Sequence, residues 1–369
     1  MEIDWNNKEQ VLEEVSQNGI ALMFANNELK ADKDVVIAAV SQDGLALELV
    51  DESFRKDIDV VLAAVAQDYH VFSLADDSLR TDKEVVTAAV KINGLALGYC
   101  AFRADKEVIL EAVKSNGISL AYADESLTKD PEVALAAVTQ NGLALKYVDE
   151  SLRTNREIIL AAVTQRGEAL QYASEELKAD REIVMAAIEQ NSEALGCIDE
   201  SLKKDKDIVL AAIRKNGRAL GFADKSLRED PEIGMEALKQ NPLALQYVNE
   251  SLKRDKNIVL EAVSRMGIAL QYADESLKKD RDVVIAAVSQ NAFALNYADE
   301  SLRNDPNLLQ EIQNTKEEES YHSAEEIGEG IEPTQTGMNK VVDEITTATK
   351  ENTITQGKDD KTEEERGDY

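Results

Sequence analysis

The chain has few of the residues on which catalysis and cross-linking depend. Among its 369 residues are two cysteines, two histidines, one tryptophan and five prolines, and aromatic residues make up 5%. Cys100 and Cys197 occupy apolar positions without a CxxC or metal-ligand spacing, which predicts two buried free thiols. The sequence also contains no nucleophile elbow, phosphate loop, zinc-protease or calcium-loop motif. We therefore predict a protein that is not an enzyme and has no metal or cofactor.

Basic residues are also scarce, with 41 lysines and arginines against 72 acidic residues and a formal net charge of −31. This charge repels nucleic acid and acidic lipid, and it favours a protein or peptide partner with a basic surface. The start, "MEIDWNNKEQ", does not have the pattern of a secretory signal, and no apolar run approaches the roughly 18 residues of a membrane span. We expect the folded part in a reducing, cytoplasmic compartment.

What the chain does contain is a repeat with a period of 25 residues. The spacing falls to 23 residues only between Asp82 and Asp105, where "YCAFRAD" replaces the usual "YxDESLRxD". Twelve full repeats, numbered 1 to 12 below, are followed by a partial thirteenth. Each opens on Asp or Asn, at Asn7, Asp32, Asp57, Asp82, Asp105, Asp130, Asn155, Asp180, Asp205, Asp230, Asp255, Asp280 and Asp305.

Each repeat predicts a helix, a tight turn, a shorter helix and a corner. The opening Asp or Asn is an N-cap, and Pro131, Pro231 and Pro306 fit only the first helical position. The helix should end after about ten residues at Asn-Gly, the pair that most readily adopts a left-handed C-cap. One repeat cannot offset its own ordering entropy, so the copies must stack. We predict an all-α, superhelical α-solenoid over residues 1–312, and a monomer.

At this point the residues match a known pattern. "DREIVMAAIEQNSEALGCIDESLKKD" and its sister segments resemble the tandem α-helical repeats grouped as domain of unknown function 4116, over about 300 residues. The resemblance implies the fold but no catalytic residues. Members look like proteins of intracellular bacteria, including effectors delivered into host cells, and of unicellular eukaryotes. It therefore suggests a secreted bacterial effector, exported by a route without a secretory signal.

Residues 313–369 differ in composition, with 16 acidic against 6 basic residues, and we expect them to be disordered. Glutamate-rich C-termini of this kind are similar to the translocation signals of type IV secreted effectors, although a plain solvated acidic tail has the same composition. One segment within them has the i, i+3, i+4, i+7 spacing of a short helix that docks in a groove. This candidate tail docking helix comprises Met338, Val341, Val342 and Ile345.

A binding surface is expected where the repeats differ from one another, because the shared positions hold the stack together. One variable position in the second helix is rich in small and polar residues, and we predict that it forms a solvent-facing ridge for a partner. This ridge comprises Glu48, Ala121, Lys146, Gln171, Gly196, Gly221, Gln246, Gln271 and Asn296. Its glycines would let the backbone of a partner approach closely.

Two further positions allow more than one interpretation. The position that opens the second helix, occupied by Leu45, Leu143 and Phe293 among others, fits either packing between repeats or a ligand groove, and we favour packing. An aromatic position, such as Tyr122 and Tyr147, resembles a stacking ladder for bases, but core packing is the more common use of such a pattern.

The alternative to a binding scaffold is an enzyme, or an enzyme subunit, with a site at the irregular repeats 3 and 4. Repeat 3 has Tyr69 where most repeats have Gly, and His70 where most have Leu or Ile. Repeat 4 lacks the Asp-Glu-Ser corner. Tyr69 at a left-handed position would be strained, which marks a bend in such an array more often than it marks a site.

Overall fold

The computed structural model describes residues 3–308 and 310–312, and the predicted all-α fold of repeated helix-turn-helix units is confirmed over this range, which contains no β-strand. The described residues form two parts, an N-terminal part up to Asp199 and a C-terminal part from Glu200. No helix within the described range is long and apolar enough to cross a membrane. The predicted disorder of residues 313–369 lies outside the described residues.

Each repeat begins with a long α-helix that starts one residue after the opening Asp or Asn. The opening side chain caps this helix, as at Asn155, whose Oδ1 accepts hydrogen bonds from the backbone N–H groups of Glu157 and Ile158. The long helices of the N-terminal part are Lys8–Val15, Lys33–Gln42, Ile58–Gln67, Lys83–Ile92, Lys106–Ser115, Pro131–Gln140, Arg156–Gln165 and Arg181–Gln190. Those of the C-terminal part are Lys206–Lys215, Pro231–Gln240, Lys256–Arg265 and Arg281–Gln290.

The second helix of each repeat is a short 3₁₀ helix. In the N-terminal part these helices are Gly19–Phe24, Gly44–Glu48, Tyr69–Leu74, Gly94–Tyr99, Gly117–Tyr122, Gly142–Tyr147, Gly167–Tyr172 and Ser192–Cys197. In the C-terminal part they are Gly217–Phe222, Pro242–Gln246, Gly267–Tyr272 and Ala292–Tyr297. A six-residue 3₁₀ helix is long for its type, and its stability here comes from burial on both neighbouring repeats.

A third short element, the corner helix, leads into the next repeat, and repeat 4 alone has none within the described range. Most corner helices are single α-helical turns, and three are 3₁₀ turns. They are Asn27–Lys30, Glu52–Lys56, Asp77–Arg80, Glu125–Thr128, Glu150–Leu152, Glu175–Lys178, Leu202–Lys204, Lys225–Arg228, Glu250–Lys253, Glu275–Lys278 and Glu300–Arg303.

The elements form two layers in each part. Consecutive long helices contact one another, consecutive 3₁₀ helices do the same, and most 3₁₀ helices also pack on the long helix of the following repeat. The core between the layers is built from Val, Ile, Ala and Leu. In repeat 7, for example, Ile159, Ala162 and Val163 of the long helix and Leu170 of the 3₁₀ helix are fully buried.

The Asn-Gly pair does not form the left-handed C-cap that the sequence suggested, and that prediction is wrong. Asn141 is extended, with φ −148° and ψ 111°, and its Oδ1 accepts a hydrogen bond from the N–H of Leu143. Asn141 therefore caps the start of the 3₁₀ helix. The glycines that open the 3₁₀ helices do not have φ in the left-handed region. Tyr69, which replaces one of them, therefore occupies a position that does not require the left-handed conformation.

Glycine is required for a different reason, the close approach of neighbouring repeats. A Cβ on Gly142 would lie less than 3.0 Å from the carbonyl oxygen of Ala162 in the next long helix, which is closer than real Cβ atoms come to other atoms. The same overlap, with the equivalent alanine, occurs at Gly19, Gly44, Gly94, Gly117, Gly167, Gly217 and Gly267. Because the obstacle is helical backbone, it cannot move aside for a larger side chain.

A glutamine at the end of the following long helix completes this contact in several repeats. The N–H of Gly117 donates to Gln140 Oε1 at 2.6 Å, and the N–H of Gly267 donates to Gln290 Oε1 at 2.5 Å. Where the sequence departs from glycine, the glutamine is also replaced. In the repeat after Tyr69, the glutamine position is occupied by Ile92. In the repeat after Pro242, it is occupied by Arg265, which donates to the carbonyl of Leu238 instead.

Ion pairs between consecutive repeats run along the N-terminal ends of the long helices. The basic residue at the first helical position bridges the opening Asp and the first-turn acid of the next repeat. Lys106 Nζ, for example, lies 2.7 Å from Asp130 and 2.8 Å from Glu132. Equivalent bridges are made by Lys8, Lys33, Lys83, Arg156, Lys206 and Lys256. Arg281 pairs with the opening Asp305 and with Glu311 further along the chain. Each is exposed to solvent and contributes little alone.

We expect Gly217→Ala and Gly234→Ala to change stability in opposite directions. The new methyl of Gly217→Ala would overlap the carbonyl of Ala237, and such overpacking costs about 1–3 kcal/mol. Gly234 lies inside a long helix, with Leu252 Cδ1 3.4 Å from the position of a Cβ, so alanine there should stabilise by about 0.5–1 kcal/mol. Thermal melting of both variants checks this. A Gly217→Ala variant as stable as the parent would contradict the packing argument.

The bridging cations should hold the carboxyl groups that they contact ionised at low pH. The Lys106 ammonium is the main cause that lowers the pKa of Asp130 below its ordinary value. A lowered folded-state pKa means that the bridge stabilises the fold above about pH 4 and that this stabilisation is lost on acidification below it. NMR titration of the Asp130 carboxyl group should show its pKa rise in Lys106→Gln. The pKa of Asp130 should not change in Lys114→Gln, since Lys114 pairs with Glu111.

Candidate functional site

The 3₁₀ helices present one side to solvent along each part of the chain. In a 3₁₀ helix residues i and i+3 lie above one another, so Leu143 and Lys146 share an edge. Lys146 is exposed, and Leu143 and Tyr147 are half-buried, whereas Ala144 and Leu145 are buried in the core. We call the side chains at these three positions, in all repeats, the 3₁₀ face. Because consecutive 3₁₀ helices touch, the face is continuous within each part.

This face carries most of the large apolar side chains that the described residues leave in water. Nine such side chains are exposed, and six of them lie on 3₁₀ helices: Met23, Phe24, Leu45, Phe222, Phe293 and Tyr297. The other three, on long helices, are isolated from one another in the sequence. Met23, Phe24 and Leu45 lie in repeats 1 and 2, Phe293 and Tyr297 lie in repeat 12, and Phe222 is single. Neighbouring exposed apolar side chains are typical of interaction sites, whereas single ones are common on any surface.

The predicted ridge lies on the 3₁₀ face. Glu48, Ala121, Lys146 and Gln171 are exposed, and the remaining ridge residues are half-buried, namely Gly196, Gly221, Gln246, Gln271 and Asn296. Three of the glutamines fold back, since Gln171, Gln246 and Gln271 donate through Nε2 to the carbonyl three residues earlier, at 3.0 to 3.1 Å. Whether the ridge binds a partner stays a prediction.

The glycines at the ridge position serve packing rather than the approach of a partner. A Cβ on Gly221 would lie 2.8 Å from Cδ1 of Tyr247, and one on Gly98, the equivalent residue of repeat 4, would lie 3.1 Å from Cε1 of Tyr122. The tyrosine of the next repeat therefore covers each glycine. The reason given from the sequence for the ridge residue Gly221 is therefore wrong, although Gly221 and Gly98 both stay at the surface.

The position that opens the second helix is only in part a packing position. Leu143 and its apolar equivalents Ile20, Leu95, Ile118, Leu243 and Ile268 are half-buried, but Leu45 is 46% exposed and Phe293 is 56% exposed. The aromatic position behaves in the same way. Most of its tyrosines are half-buried, and Lys146 Nζ lies 5.7 Å from the centre of the Tyr147 ring. Both positions thus add apolar area to the 3₁₀ face.

Repeat 4 has no donor for the corner hydrogen bond that joins most of the other repeats of the N-terminal part. At most corners the first residue donates its N–H to a carbonyl of the preceding repeat, as Asp149 does to Thr128 at 3.1 Å and Ser174 does to Arg153 at 3.1 Å. The two-residue deletion removes this donor from repeat 4. A cavity of about 370 Å³ lies there, lined by Asp77, Arg80, Thr81, Gly98, Tyr99, Cys100, Ala101 and Arg103.

Several groups near this cavity have ordinary structural partners, although Arg80 Nε is buried without a hydrogen bond. Arg103 donates to the carbonyl of Gly98 at 2.6 Å, and Arg80 pairs with Asp77. Burial raises the pKa of the Cys100 thiol, so the thiol stays protonated, which is the reverse of what a nucleophile requires. The alternative of an enzyme site at repeats 3 and 4 has the cavity in its favour, and it stays a prediction.

His70 and Cys197 differ from the core residues around them. His70 is exposed, and its Nδ1 lies 2.7 Å from Asp68 Oδ1. The backbone N–H of His70 also donates to Asp68, and it is the main cause that lowers the pKa of Asp68. Cys197 was predicted to be a buried thiol, but it is half-buried because it occupies the aromatic position of repeat 8.

Metal binding and the tail complete the set of predicted site features. No group of three or more His, Cys, Asp or Glu side chains among residues 3–308 and 310–312 is placed to hold a metal ion. The candidate docking helix of Met338, Val341, Val342 and Ile345 lies outside the described residues.

Comparison with known proteins identifies the repeats. The profile of the family described as Domain of unknown function (DUF4116) matches residues 7–55, 57–103, 105–153, 155–203, 205–254 and 255–303. Each match spans two of the 25-residue repeats, and the match at 57–103 is shorter because repeat 4 lacks two residues. No curated protein and no solved structure matches the chain. The chain belongs to the DUF4116 family of tandem repeat proteins.

Proposed function

We propose that this protein is a non-catalytic scaffold that binds a protein or peptide partner along its 3₁₀ face. The observation that carries the proposal is the concentration of exposed large apolar side chains on the 3₁₀ helices, six of the nine in the described range. Several adjacent repeats can together offer the roughly 1,200–2,000 Å² that a specific interface buries. The formal charge of −31 favours a partner with a basic surface.

The contrast between the two surfaces of a repeat supports the same assignment. On the long helices the exposed residues are mostly charged or hydroxyl-bearing, such as Thr139 and Thr164. On the 3₁₀ face, apolar and aromatic side chains alternate with ridge residues that are small, such as Ala121, or polar, such as Gln171. An apolar centre with polar groups beside it is the usual composition of an interface between proteins.

Arginine substitutions on the two surfaces test the proposal. We expect Ala121→Arg with Gln171→Arg to abolish capture of partner proteins, because two large charges would stand on the 3₁₀ face. Thr139→Arg with Thr164→Arg adds the same charge to exposed sites on long helices and should leave capture unchanged. The measurement is affinity capture with quantitative mass spectrometry, with melting curves for all variants.

Two outcomes of this capture would count against the proposal. Equal recovery of partners by both double variants would exclude the 3₁₀ face as the binding surface. A parent protein that enriches nothing above an unrelated acidic control would exclude the scaffold function itself.

We further propose that residues 313–369 direct export of the protein into a host cell, where the scaffold would act. The support is the acidic composition of this segment, with Glu317 to Glu319 and Glu363 to Glu365 at its two ends, together with the resemblance of the repeats to those of secreted effectors. The same reasoning places the protein in a reducing cytoplasm before and after export.

Removal of residues 313–369 should stop delivery into host cells and leave the melting temperature of the repeats unchanged. A reporter fusion read out in infected cells measures delivery, and calorimetry measures melting. A fusion in which the order of residues 313–369 is scrambled is the matched control for charge and length. Delivery of the truncated chain at the parental level would rule out an export signal in this segment.

A further inference from the structure

Repeats 3 to 5 bring together an aromatic cluster in the N-terminal part, formed by rings of the 3₁₀ face and by Tyr69 at the neighbouring glycine position. Tyr69 and His70 replace the usual glycine and leucine, and their ring centres are 4.0 Å apart. Tyr99 of repeat 4 lies 6.4 Å from Tyr69 and 6.1 Å from His70, again between ring centres. Tyr122 of repeat 5 covers Gly98, the residue before Tyr99. We call Tyr69, His70, Tyr99 and Tyr122 the aromatic cluster.

The cluster is open to water as well as packed. The side chain of His70 is 58% exposed, and the three tyrosines are half-buried. Burial is the main cause that raises the pKa of Tyr69, and the hydroxyl groups of Tyr122 and Tyr99 raise it further, which agrees with their proximity. Rings held together by the backbone of three repeats form a preorganised surface, so little side-chain entropy is lost when a ligand binds.

Packing within the array does not account for Tyr69. Its position is held by glycine in eight repeats, where the glycine contacts the next long helix and its N–H in several cases binds a glutamine. Repeat 3 gives up that glycine, and repeat 4 has Ile92 in place of the glutamine. Departures from a local packing rule are typical of functional sites, and this departure coincides with the half-buried ring of Tyr69 and the exposed ring of His70.

Negative charge accompanies the cluster. Asn caps the 3₁₀ helix in most repeats, but repeats 2 and 3 have Asp43 and Asp68, which keep the same capping hydrogen bonds to Leu45 and His70. Glu48, a ridge residue, adds an exposed carboxylate on the 3₁₀ helix of repeat 2. The carboxylates favour a cation at this end of the 3₁₀ face, and the faces of aromatic rings attract cations as well.

We propose that the aromatic cluster receives an arginine side chain of the basic partner, stacked on the tyrosine rings and balanced by Asp68. The proposal rests on the scaffold function proposed above and names the chemistry by which the partner is recognised. The same face already shows the contact within the chain, since Lys146 lies over the ring of Tyr147. Arginine fits better than lysine because its planar guanidinium stacks on rings and pairs with a carboxylate at its edge.

The test compares N-acetyl-arginine amide with N-acetyl-citrulline amide, which has nearly the same shape without the charge. Protein labelled with 3-fluorotyrosine is titrated with each compound and followed by fluorine NMR. We expect saturable shifts at Tyr69, Tyr99 and Tyr122, with binding about two- to fivefold tighter for arginine than for citrulline.

A variant that returns repeat 3 to the common pattern separates this site from the fold. Tyr69→Gly, His70→Leu and Ile92→Gln together restore the residues that other repeats have, so the variant should melt at least as high as the parent. It should lose the shifts at Tyr99 and Tyr122. Tyr272→Leu removes a ring at the same position of repeat 11 and should leave arginine binding unchanged.

Either of two results would overturn the inference: equal binding of arginine and citrulline, or parental arginine binding by the triple variant. If that happens while the ridge variants still lose the partner, the scaffold function stands without this anchor. If arginine binds at the aromatic cluster but no partner is captured, the scaffold proposal fails while the arginine site stands.

Discussion

Contact between the glycine of one repeat and the helix backbone of the next sets the spacing of the whole stack. With Gly142 against the carbonyl of Ala162, the 3₁₀ helix of repeat 6 lies on the long helix of repeat 7 without a side chain between them. That approach allows Ala144 and Leu145 to be fully buried although both are modest in size. A larger residue would separate the layers and expose this thin aliphatic core, since a core of Ala, Val and Leu has little volume to fill a gap.

The sequence was sufficient to predict where the long helices begin, but it was insufficient to predict the conformation in which they end. An Asp or Asn followed by a basic residue or Pro and then usually an acid has one common structural meaning, and all twelve long helices begin one residue after the predicted opening Asp or Asn. Asn-Gly has two meanings. Asn141 could either end a helix in the left-handed conformation or cap the next one, and only the position of Ala162 in space decides between them. Information about a neighbouring repeat is not contained in a local pattern.

The candidate site shows the same division between local and long-range information. Variation among repeats located residues such as Lys146 and Gln171 that do lie in water, because side chains inside the stack cannot vary freely. The glycines were misinterpreted, since the tyrosine that covers Gly221 comes from the following repeat. The bridges from Lys106 to two acids were also missed. A signal existed, because a cation at the first helical position opposes the helix dipole unless an acid compensates for it.

Repeats 3 and 4 gather the departures from the common pattern into one region. A missing corner donor, a cavity beside Cys100 and the rings of Tyr69 and His70 all lie within two consecutive copies. Elsewhere the chain repeats itself with little change in geometry, so a partner would find the same surface at several registers. An irregular pair of repeats removes that ambiguity, because it occurs at one place in the array and so defines a single binding register.

The Gly-Gln contact also bears on how such a chain can lengthen or shorten by recombination. Because each half of the contact belongs to a different repeat, the natural crossover lies inside a repeat, between its glutamine and its glycine, rather than at the Asp that opens it. Loss of one copy by such an exchange rejoins compatible halves almost anywhere. Tyr69 with Ile92, and Pro242 with Arg265, are mated pairs that such an exchange keeps together, whereas an exchange at the opening Asp would separate them. Copy number can therefore change by exchange within a repeat without mismatching these pairs.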